Sequence, residues 1–517
     1  MNASCRFVLA LALRVAVLCA APSFAAAGGA PIPLSDAGEE CTIAVLTGKA
    51  TRDGRPILWK NRDAAYLDNE VVYFDGGGRG SYGFVALINA GDLTNAWIGV
   101  NERGFAVLNA LSYNLPDTVM GGITNGQLMK AALERCANVA EFESYLRETN
   151  AIGRDNPANL AVIDASGGAA VFEAAGRDFV RFDAKDAPGG YLARTNFSLA
   201  GDTSYVDTWR YHRCRRLVQR AIEVGGVDVP YLLQHVATDL CSWNLDPYPL
   251  PFTGAPPDYP EAYGYVPTTN TINRRTSVAS GTILGVLPSE DPLLSTFYAV
   301  VGAPVVTIPL PVWVAAGPTP PELDGPVTSP LCDEAKQRTR QCYDNTYFGS
   351  LLNTFRLVTG NPMRAGYLTR VERIERWLLP ETDQSLAHWR QAGVNPQEMA
   401  AAETQFASRA FNHYMADLQP ALQRGSINLA ASPNPAREKV EIRYISEAEP
   451  PANWGIEVVD LSGRRLATLR AASVGSRQGT LRWDGRDNRG TPVASGIYFL
   501  RPTWPGDLHA APVVIVH

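Results

Sequence analysis

The stretch that decides the fold runs from residue 41 to residue 63 and reads CTIAVLTGKATRDGRPILWKNRD. Cys41–Leu46 and Pro56–Trp59 are apolar runs typical of strands, and Asp53-Gly54 between them is a hairpin turn signal. The preceding residues 26–40 are small, contain Gly and Pro, and end in acidic side chains, so they offer little to a core. A β-hairpin is therefore predicted to open the fold at Cys41.

The N-terminus predicts export. Arg6 precedes an apolar stretch from Phe7 to Ala21 that only Arg14 interrupts, and Ser23 and Ala25 follow as small residues of a cleavage signal. The stretch is too short for a membrane span, and its arginine argues against one. We expect a signal peptide at residues 1–25, a propeptide at residues 26–40, and a secreted or cell-envelope protein in the periplasm or on the outer surface.

Composition narrows the class of protein and its expected partners. The 517 residues are 46% hydrophobic and 19% charged, as in globular proteins, and the length suggests two or three domains. The net charge is -6 and no long run of Lys or Arg occurs, so nucleic acid is not an expected partner. There is no C-x-x-C motif, and we expect neither a metal nor a cofactor.

Six cysteines follow the expected signal peptide: Cys41, Cys136, Cys214, Cys241, Cys332 and Cys342. Export favours disulfides. On sequence distance, Cys332 with Cys342 and Cys214 with Cys241 are candidate pairs.

Strand-like and helical patterns alternate after the hairpin. Further strand-like runs are Val71–Phe74, Phe84–Ile88, Ala96–Val100, Phe105–Leu108, Asn159–Asp164, Ala170–Glu173 and Val180–Phe182. Thr124 to Gln127 fits a capping box that begins a helix, and residues 208–224 have helical spacing. Strands, helices and strands again predict a layered α+β fold with largely antiparallel sheets.

The second half divides by composition. Residues 243–275 are rich in Pro, Tyr and Asn and predict a long loop, and the prolines of residues 302–330 predict a segment that wraps the surface. Residues 333–425 predict a helical extension. Residues 426–517 alternate apolar and polar side chains between many turns, which is typical of a small β-sandwich.

Cys41 is a candidate nucleophile. A thiolate is the reactive form of cysteine, and it needs a base nearby. None of the six histidines lies in a papain-like context. If the peptide bond before Cys41 is cut, the freed α-amine has a pKa of about 7.7–8.0 and can serve as that base.

A series of motifs in this order resembles the cysteine N-terminal-nucleophile (Ntn) hydrolases, the group of choloylglycine hydrolases, penicillin V acylases and isopenicillin acyltransferases. They are Cys41-Thr42, Lys60-Asn61-Arg62-Asp63, the segment from Gly99 to Asn109, the hairpin of residues 159–173, Thr195-Asn196-Phe197, and Thr208 to Arg213. The resemblance covers residues 41 to about 220. It implies a four-layer αββα domain over residues 41–425 and hydrolysis of a linear amide through a thioester.

The resemblance also implies roles. Cys41 is the nucleophile, Asp63 holds its α-amine, Asn109 and Asn196 donate to the oxyanion, and Arg210 orients the cysteine. An ungapped comparison with bile-salt hydrolases puts Leu111 where Asn109 is assigned, and a shift of two keeps the same strand face. Lys60, where the family has arginine, would bind substrate.

Three functions remain open: a hydrolase of a small-molecule acyl amide, an acyltransferase of the same fold that passes the acyl group to an amine, and a catalytically silent surface-binding protein. Each assigned side chain could instead have a purely structural role; for Cys41 that alternative is a disulfide. Loops 112–123 and 243–275 are expected to shape the substrate pocket.

The C-terminal segment carries a second resemblance. Ser432-Pro433-Asn434-Pro435, residues 458–464, Trp483 to Gly490 and residues 494–499 are similar to the FlgD-like immunoglobulin domains of exported bacterial proteins, some of which are type IX secretion signals. The resemblance implies an immunoglobulin-like domain at residues 426–517 that engages secretion machinery or the cell surface. A passive stabilising domain is the alternative.

Overall fold

The computed structural model describes residues 40–78, 80–116, 118–202, 204, 208–250, 252, 264–344, 351–358, 366–416, 427–437, 439–446, 454–460, 464–470, 478–503 and 511–516. The expected signal peptide, and the expected propeptide up to residue 39, lie outside these ranges.

The first part of the chain forms two sheets and three helices. Its elements are β1 (Glu40–Leu46), β2 (Ile57–Asp63), β3 (Asn69–Phe74), β4 (Phe84–Asn89), β5 (Ile98–Asn101), β6 (Ala106–Leu111), α1 (Asn125–Arg135), α2 (Val139–Ile152), β7 (Ala158–Ile163), β8 (Ala169–Ala174), β9 (Phe179–Asp183), β10 (Tyr191–Arg194) and α3 (Trp209–Glu223). The strand runs and helix starts read from the sequence agree with these bounds to within a few residues.

The next part adds α4 (Val229–Tyr231), β11 (Tyr265–Pro267), β12 (Ser277–Leu284), β13 (Thr296–Val301) and β14 (Leu310–Val312). One antiparallel sheet has the order β10-β1-β2-β12-β13-β14, and the other runs from β3 to β9 in chain order. β1 contacts β6 and β7 of the second sheet, so the two sheets share one buried core. The α+β prediction with largely antiparallel sheets is confirmed.

Helices cover these sheets. α1 contacts β5 and β6, and α3 contacts β1 and β10. The capping box that begins α1 is present: the Thr124 hydroxyl accepts from the Gln127 backbone, and the Gln127 side chain accepts from the Thr124 backbone. Both bonds satisfy donors that a helix start leaves open.

The described residues between 330 and 416 are mostly helical. Their elements are α5 (Pro330–Cys342), β15 (Tyr343–Asp344), β16 (Leu351–Asn353), α6 (Thr354–Val358), α7 (Tyr367–Ala392) and α8 (Pro396–Ala416). α8 contacts β14. The predicted surface path of residues 302–330 is wrong for its first half: Ala303, Val305, Ile308 and Trp313 are all buried. The prolines correctly predict an irregular backbone. They do not predict its burial, because the apolar side chains between them fill a core.

The described residues after 426 form seven strands: β17 (Ile427–Ser432), β18 (Val440–Ser446), β19 (Gly455–Val459), β20 (Arg465–Arg470), β21 (Gln478–Trp483), β22 (Gly496–Pro502) and β23 (Ala511–Ile515). They form antiparallel sheets of order β17-β18-β21 and β20-β19-β22-β23. Side chains from both sheets, such as Ile442, Trp483 and Leu500, make a hydrophobic cluster of their own.

The candidate disulfides are wrong. Among the described residues no disulfide joins any two of the six cysteines, and all six are buried. Cys332 and Cys342 lie on the same helix, α5, ten residues apart, which separates them by about 15 Å, far beyond the reach of a disulfide. Cys214 lies in α3, and Cys241 follows later in the chain as a separate thiol.

Candidate active site

Cys41 lies at the beginning of β1 and is fully buried. β1 runs between β10 and β2, so both of its edges are paired. The register puts Arg62 opposite Cys41 and Asp63 opposite Glu40. Because Glu40 continues the strand, the nitrogen of Cys41 is a peptide nitrogen in this structure.

The nitrogen and the carbonyl of Cys41 are both held by side chains from distant elements. The Cys41 N–H donates to Asn196 Oδ1 at 2.7 Å. Arg210 Nη2 donates to the same oxygen at 3.1 Å, and Arg210 Nη1 donates to the Cys41 carbonyl at 2.8 Å and to Thr42 Oγ1 at 3.2 Å. Asn196 follows β10 and Arg210 is in the first turn of α3. This clamp fixes the backbone of residue 41 at the end of the sheet.

Asn196 is itself fixed by two further hydrogen bonds. Its Nδ2 donates to the Leu111 carbonyl at 3.1 Å, and the Tyr113 N–H donates to the Asn196 carbonyl at 3.0 Å. The end of β6 therefore lies beside the clamp.

Four charged side chains surround the peptide bond between residues 40 and 41, and all of them except Glu40 are buried. Arg274 pairs with the Glu40 carboxylate through Nη1, and its Nε lies 3.5 Å from Asp63 Oδ2. Arg210 Nη2 lies 3.7 Å from the Glu40 carboxylate. The Ser277 hydroxyl donates to Asp63 Oδ1 at 2.6 Å. Two arginines thus face two carboxyl groups where the start of β1 pairs with the end of β2 and β2 pairs with the start of β12.

Burial raises the pKa of Asp63 to about 7. Burial is the largest cause, and the nearby charge of Arg210, the bond from Ser277 and the charges of Lys60 and Arg62 oppose it. A carboxyl group with such a pKa exchanges its proton near neutral pH, as a group that handles protons requires.

Lys60 and Asn109 form a separate pair between the two sheets. Lys60 Nζ donates to Asn109 Oδ1 at 2.7 Å and to the Trp97 carbonyl at 3.4 Å, and both side chains are fully buried. Among the described residues, Asn109 Nδ2 has no hydrogen-bond partner. A buried amide donor without an acceptor is costly, so this N–H is available to an oxygen that enters the site.

Strand register explains why the predicted residues divide into groups. Residues opposite each other on antiparallel strands project to the same face. Cys41 shares a face with Arg62, and Lys60 projects from that face towards Asn109 of the second sheet. Asp63 shares the other face with Glu40. The structure thus brings Cys41, Asn196 and Arg210 into direct contact, and it puts Asp63 in the adjoining charge group.

Sequence reasoning missed Arg274 and Ser277. Both come just before or at the start of β12, and they reach Asp63 because β12 pairs with β2. Glu40 was seen only as the acidic end of a leader. Long-range strand pairing is not visible in local patterns; the only local signal is the pair Arg274-Arg275 at the end of a Pro-rich stretch.

A surface cavity of about 660 Å³ is lined in part by Tyr113, whose N–H donates to the Asn196 carbonyl. Its lining residues are Tyr113, Asn114, Leu115, Pro116, Ala200, Gly201 and Asp202. The Asn114 side chain joins the two loops because its Nδ2 donates to the carbonyls of Ser198 and Asp202. The cavity therefore opens between the loop after β6 and the loop that follows Asn196.

Two further properties hold for the described ranges. They contain no cluster of three His, Cys, Asp or Glu side chains arranged to hold a metal ion. Within the same ranges, no helix is both long and apolar enough for a membrane crossing.

Comparisons with known proteins give matches to part of the chain. Residues 50–216 match the family model of acyl-coenzyme A:6-aminopenicillanic acid acyl-transferase. The matched range contains Lys60, Asp63, Asn109, Asn196 and Arg210, and it begins after Cys41. This part of the chain is thus similar to a family of acyl-transferring enzymes. No curated protein gives a significant match.

Two solved structures are similar to parts of the chain. Penicillin V acylase from Agrobacterium tumefaciens is matched at 16% identity and a TM-score of 0.32, over 53% of this chain and 85% of that chain. Dimeric latent PorU from Porphyromonas gingivalis is matched at 24% identity and a TM-score of 0.16, over 18% of this chain and 9% of that chain. The chain therefore covers less than a tenth of the length of PorU.

Proposed function

We propose that this chain is an N-terminal-nucleophile amidohydrolase whose Cys41 becomes both nucleophile and chain start. The observation that carries the proposal is the clamp: Asn196 holds the Cys41 nitrogen and Arg210 holds its carbonyl. An ordinary buried cysteine needs no such control of its own backbone. A residue whose nitrogen is to act as a base needs its backbone held in place, because proton transfer depends on the position of that nitrogen.

The first step is self-cleavage before Cys41. Cys41 Sγ attacks the carbonyl carbon of Glu40, the bond from that carbon to the Cys41 nitrogen breaks, and the nitrogen takes the thiol proton to become an amine. Water then hydrolyses the thioester to the Glu40 carboxylic acid and restores the thiol. The chain now begins at Cys41 with a free α-amine.

The second step is turnover on an external amide. The α-amine takes the proton of Cys41 Sγ, the sulfur attacks the substrate carbonyl, and the tetrahedral oxyanion collapses to a thioester as the leaving amine takes that proton. Water then attacks the thioester, the α-amine accepts and returns a proton, and the acid leaves. An α-amine with a pKa of about 7.7–8.0 suits both transfers at neutral pH.

The other assigned residues serve this reaction. Asn109, whose Nδ2 faces no acceptor in the described chain, and Asn196 donate to the oxyanion. Asp63 receives and stabilises the newly formed ammonium in the space next to Glu40. Lys60 orients Asn109 through the 2.7 Å bond and keeps a positive charge beside the substrate. The cavity beside Asn196 admits the substrate.

An acyltransferase is the second candidate, and the family match favours it. The matched model describes an acyl-transferase, in which an amine rather than water accepts the acyl group from the thioester. Incubating the enzyme with an acyl amide and a second amine would separate the two, because only a transferase yields the new amide as the main product.

N-terminal sequencing and intact mass of the purified protein test the proposal. Wild type should begin at Cys41, whereas Cys41→Ala should retain residue 40 joined to residue 41. A wild-type protein that is active while Glu40 is still attached would contradict the mechanism, because its base would be a peptide nitrogen.

The remaining features are also proposals. Helices on the outer faces of two packed sheets support a four-layer αββα domain at residues 41–425. The two antiparallel sheets of residues 427–516 and the turn motifs support an immunoglobulin-like, FlgD-like domain that engages secretion machinery or the cell surface. The apolar N-terminal stretch supports export. Secretion of a reporter fused behind residues 1–40 would test the last point.

A further inference from the structure

Glu40 is bound in its own site before it is cut away. Its carboxylate pairs with Arg274, and Arg210 lies 3.7 Å from the same oxygen. The Arg274 side chain is only 10% exposed, so this is an enclosed charge and not a surface arginine. Its Nε also bonds to the Thr271 carbonyl at 3.5 Å, and the Ser277 hydroxyl accepts from its backbone nitrogen at 3.0 Å. Arg274 is thus held in place by its own loop.

Cleavage before Cys41 changes the charge balance of this site. With Glu40 present, two arginines face two carboxylates. When Glu40 leaves, Arg274 and Arg210 face Asp63 alone, and the new α-amine adds a further group that can be positive. An enclosed guanidinium that loses its partner is costly. The processed site therefore favours an anion at the position of the Glu40 carboxylate.

The position of that anion relative to the reacting carbon is known from Glu40 itself. Glu40 is on the acyl side of the bond that is cut, so its carbonyl carbon is the first one Cys41 attacks. A substrate carbonyl must later take the same place in front of the sulfur. In glutamate, three carbons separate the backbone carbonyl from the side-chain carboxylate. An acyl group with the same spacing can bring its carboxylate to Arg274.

We propose that Arg274 binds the substrate's acyl carboxylate in the processed enzyme, and that the preferred substrates are monoamides of five-carbon dicarboxylic acids, such as glutaryl or α-glutamyl amides. The leader thus occupies the site that the substrate's acyl group uses later. This inference rests on the proposed function and specifies its substrate class.

A series of anilides of different acyl length tests the inference on the wild-type protein. Glutaryl, succinyl, adipoyl and pentanoyl p-nitroanilides would be compared by kcat/KM. The pentanoyl compound has the chain length of the glutaryl compound without the carboxylate. Because a charge-assisted bond contributes about 1.5–3 kcal/mol, the glutaryl compound should be preferred over pentanoyl by roughly tenfold to a hundredfold. Equal or faster cleavage of the pentanoyl compound overturns the inference.

Arg274→Gln and Arg275→Gln form a matched pair of variants. Both remove one positive charge from neighbouring residues, but Arg275 is exposed and Arg274 is buried. Arg274→Gln should lose the preference for the glutaryl over the pentanoyl compound, as a ratio of the two kcat/KM values, whereas Arg275→Gln should keep that ratio. A preference that survives in Arg274→Gln overturns the assignment of Arg274.

A binding measurement separates this inference from the proposed function. Glutarate should raise the Tm of the processed wild type more than pentanoate does. It should have no such effect on Cys41→Ala, in which Glu40 still fills the site. If the leader is removed but glutarate gives no shift, the inference fails and the proposed function stands. If the active wild type keeps its leader, the proposed function fails.

Discussion

Glu40 and Asp63 lie directly opposite each other where β1 meets β2, and Arg274 touches both carboxylates. Like charges at opposed strand positions repel each other, so such a pair is stable only with cations beside it. Arg274 and Arg210 supply those cations. The peptide bond that we expect to be cut thus lies among two arginines and two carboxyl groups, and its cleavage removes one of the carboxyl groups.

The raised pKa of Asp63 predicts a specific dependence of stability on pH. Because the folded pKa of about 7 lies above the ordinary value of 3.8, folding favours the protonated carboxyl. The stability from this group is full below about pH 4 and is lost as the pH rises through 7. The difference in unfolding free energy between Asp63→Asn and its parent should therefore grow by roughly 2–4 kcal/mol, in favour of the variant, as the pH rises from 4 to 8.

Urea denaturation of the Cys41→Ala protein with and without Asp63→Asn measures this difference, since Glu40 then stays attached in every sample. A difference that is flat across the pH range would show that Asp63 keeps an ordinary pKa in the fold.

Arg210→Lys should prevent both processing and turnover. Arginine reaches the Cys41 carbonyl, Thr42 and Asn196 with two nitrogens of one planar group, and lysine has a single nitrogen. We expect the rate of leader removal and kcat to fall by about a hundredfold or more, as for misplaced reacting groups. Intact mass over time and acyl-amide hydrolysis measure the two effects.

Arg216→Lys is the matched control for that variant, because Arg216 is an exposed residue of the same helix. It should process and turn over like wild type. Normal processing in Arg210→Lys would mean that the clamp is structural only.

Asn109→Ala should reduce catalysis more than stability. Removing the amide leaves the buried Lys60 ammonium without its 2.7 Å acceptor, which costs about 1–3 kcal/mol. If Asn109 also donates to the oxyanion, kcat should fall by about 10²–10³. Both quantities come from denaturation curves and steady-state kinetics on the same preparation.

Asn101→Ala provides the comparison. Asn101 is also a buried strand asparagine, and its Nδ2 donates to the carbonyls of Leu133 and Cys136 at 2.8 Å. It should lose similar or greater stability and keep its kcat. If both variants lose kcat in proportion to stability, Asn109 has no role in the reaction.

Thiol labelling should single out Cys41. Burial raises the pKa of Cys136, Cys214, Cys241, Cys332 and Cys342 to about 11 or 12, so they stay protonated and unreactive at neutral pH. The processed native protein should therefore take up one iodoacetamide, on Cys41. After denaturation without reductant, six thiols should react. Fewer than six would reveal a disulfide.

Sequence patterns predicted the local structure well. The apolar runs predicted most of the strands around Cys41, and the Thr124 capping box predicted where α1 begins. Both are decided within a few residues by side-chain periodicity and hydrogen bonding. The pairing of Cys332 with Cys342 was wrong because short sequence distance was taken for proximity, while a helix holds the two thiols at opposite ends.

Only some members of the charge group around the peptide bond of residues 40 and 41 could be predicted from the sequence. Asp63 and Arg210 occur in motifs, so a resemblance found them, whereas Arg274 and Ser277 meet Asp63 only through the register of β12 on β2. Likewise, the buried path of residues 303–314 depends on α8 covering β14, which nothing in the prolines reveals. Contacts between distant segments are properties of the folded sheet and not of any one stretch of sequence.

The hydrophobic cluster of the strands after residue 426 shares no side chain with the core between the two large sheets. Heating can therefore melt one and leave the other intact, and a calorimeter should record two separate heat-absorption peaks. If the all-strand segment is the less stable one, and if it serves the export or attachment proposed above, a culture at elevated temperature would lose that function first. The catalysis proposed for Cys41 would then persist in protein that is no longer attached.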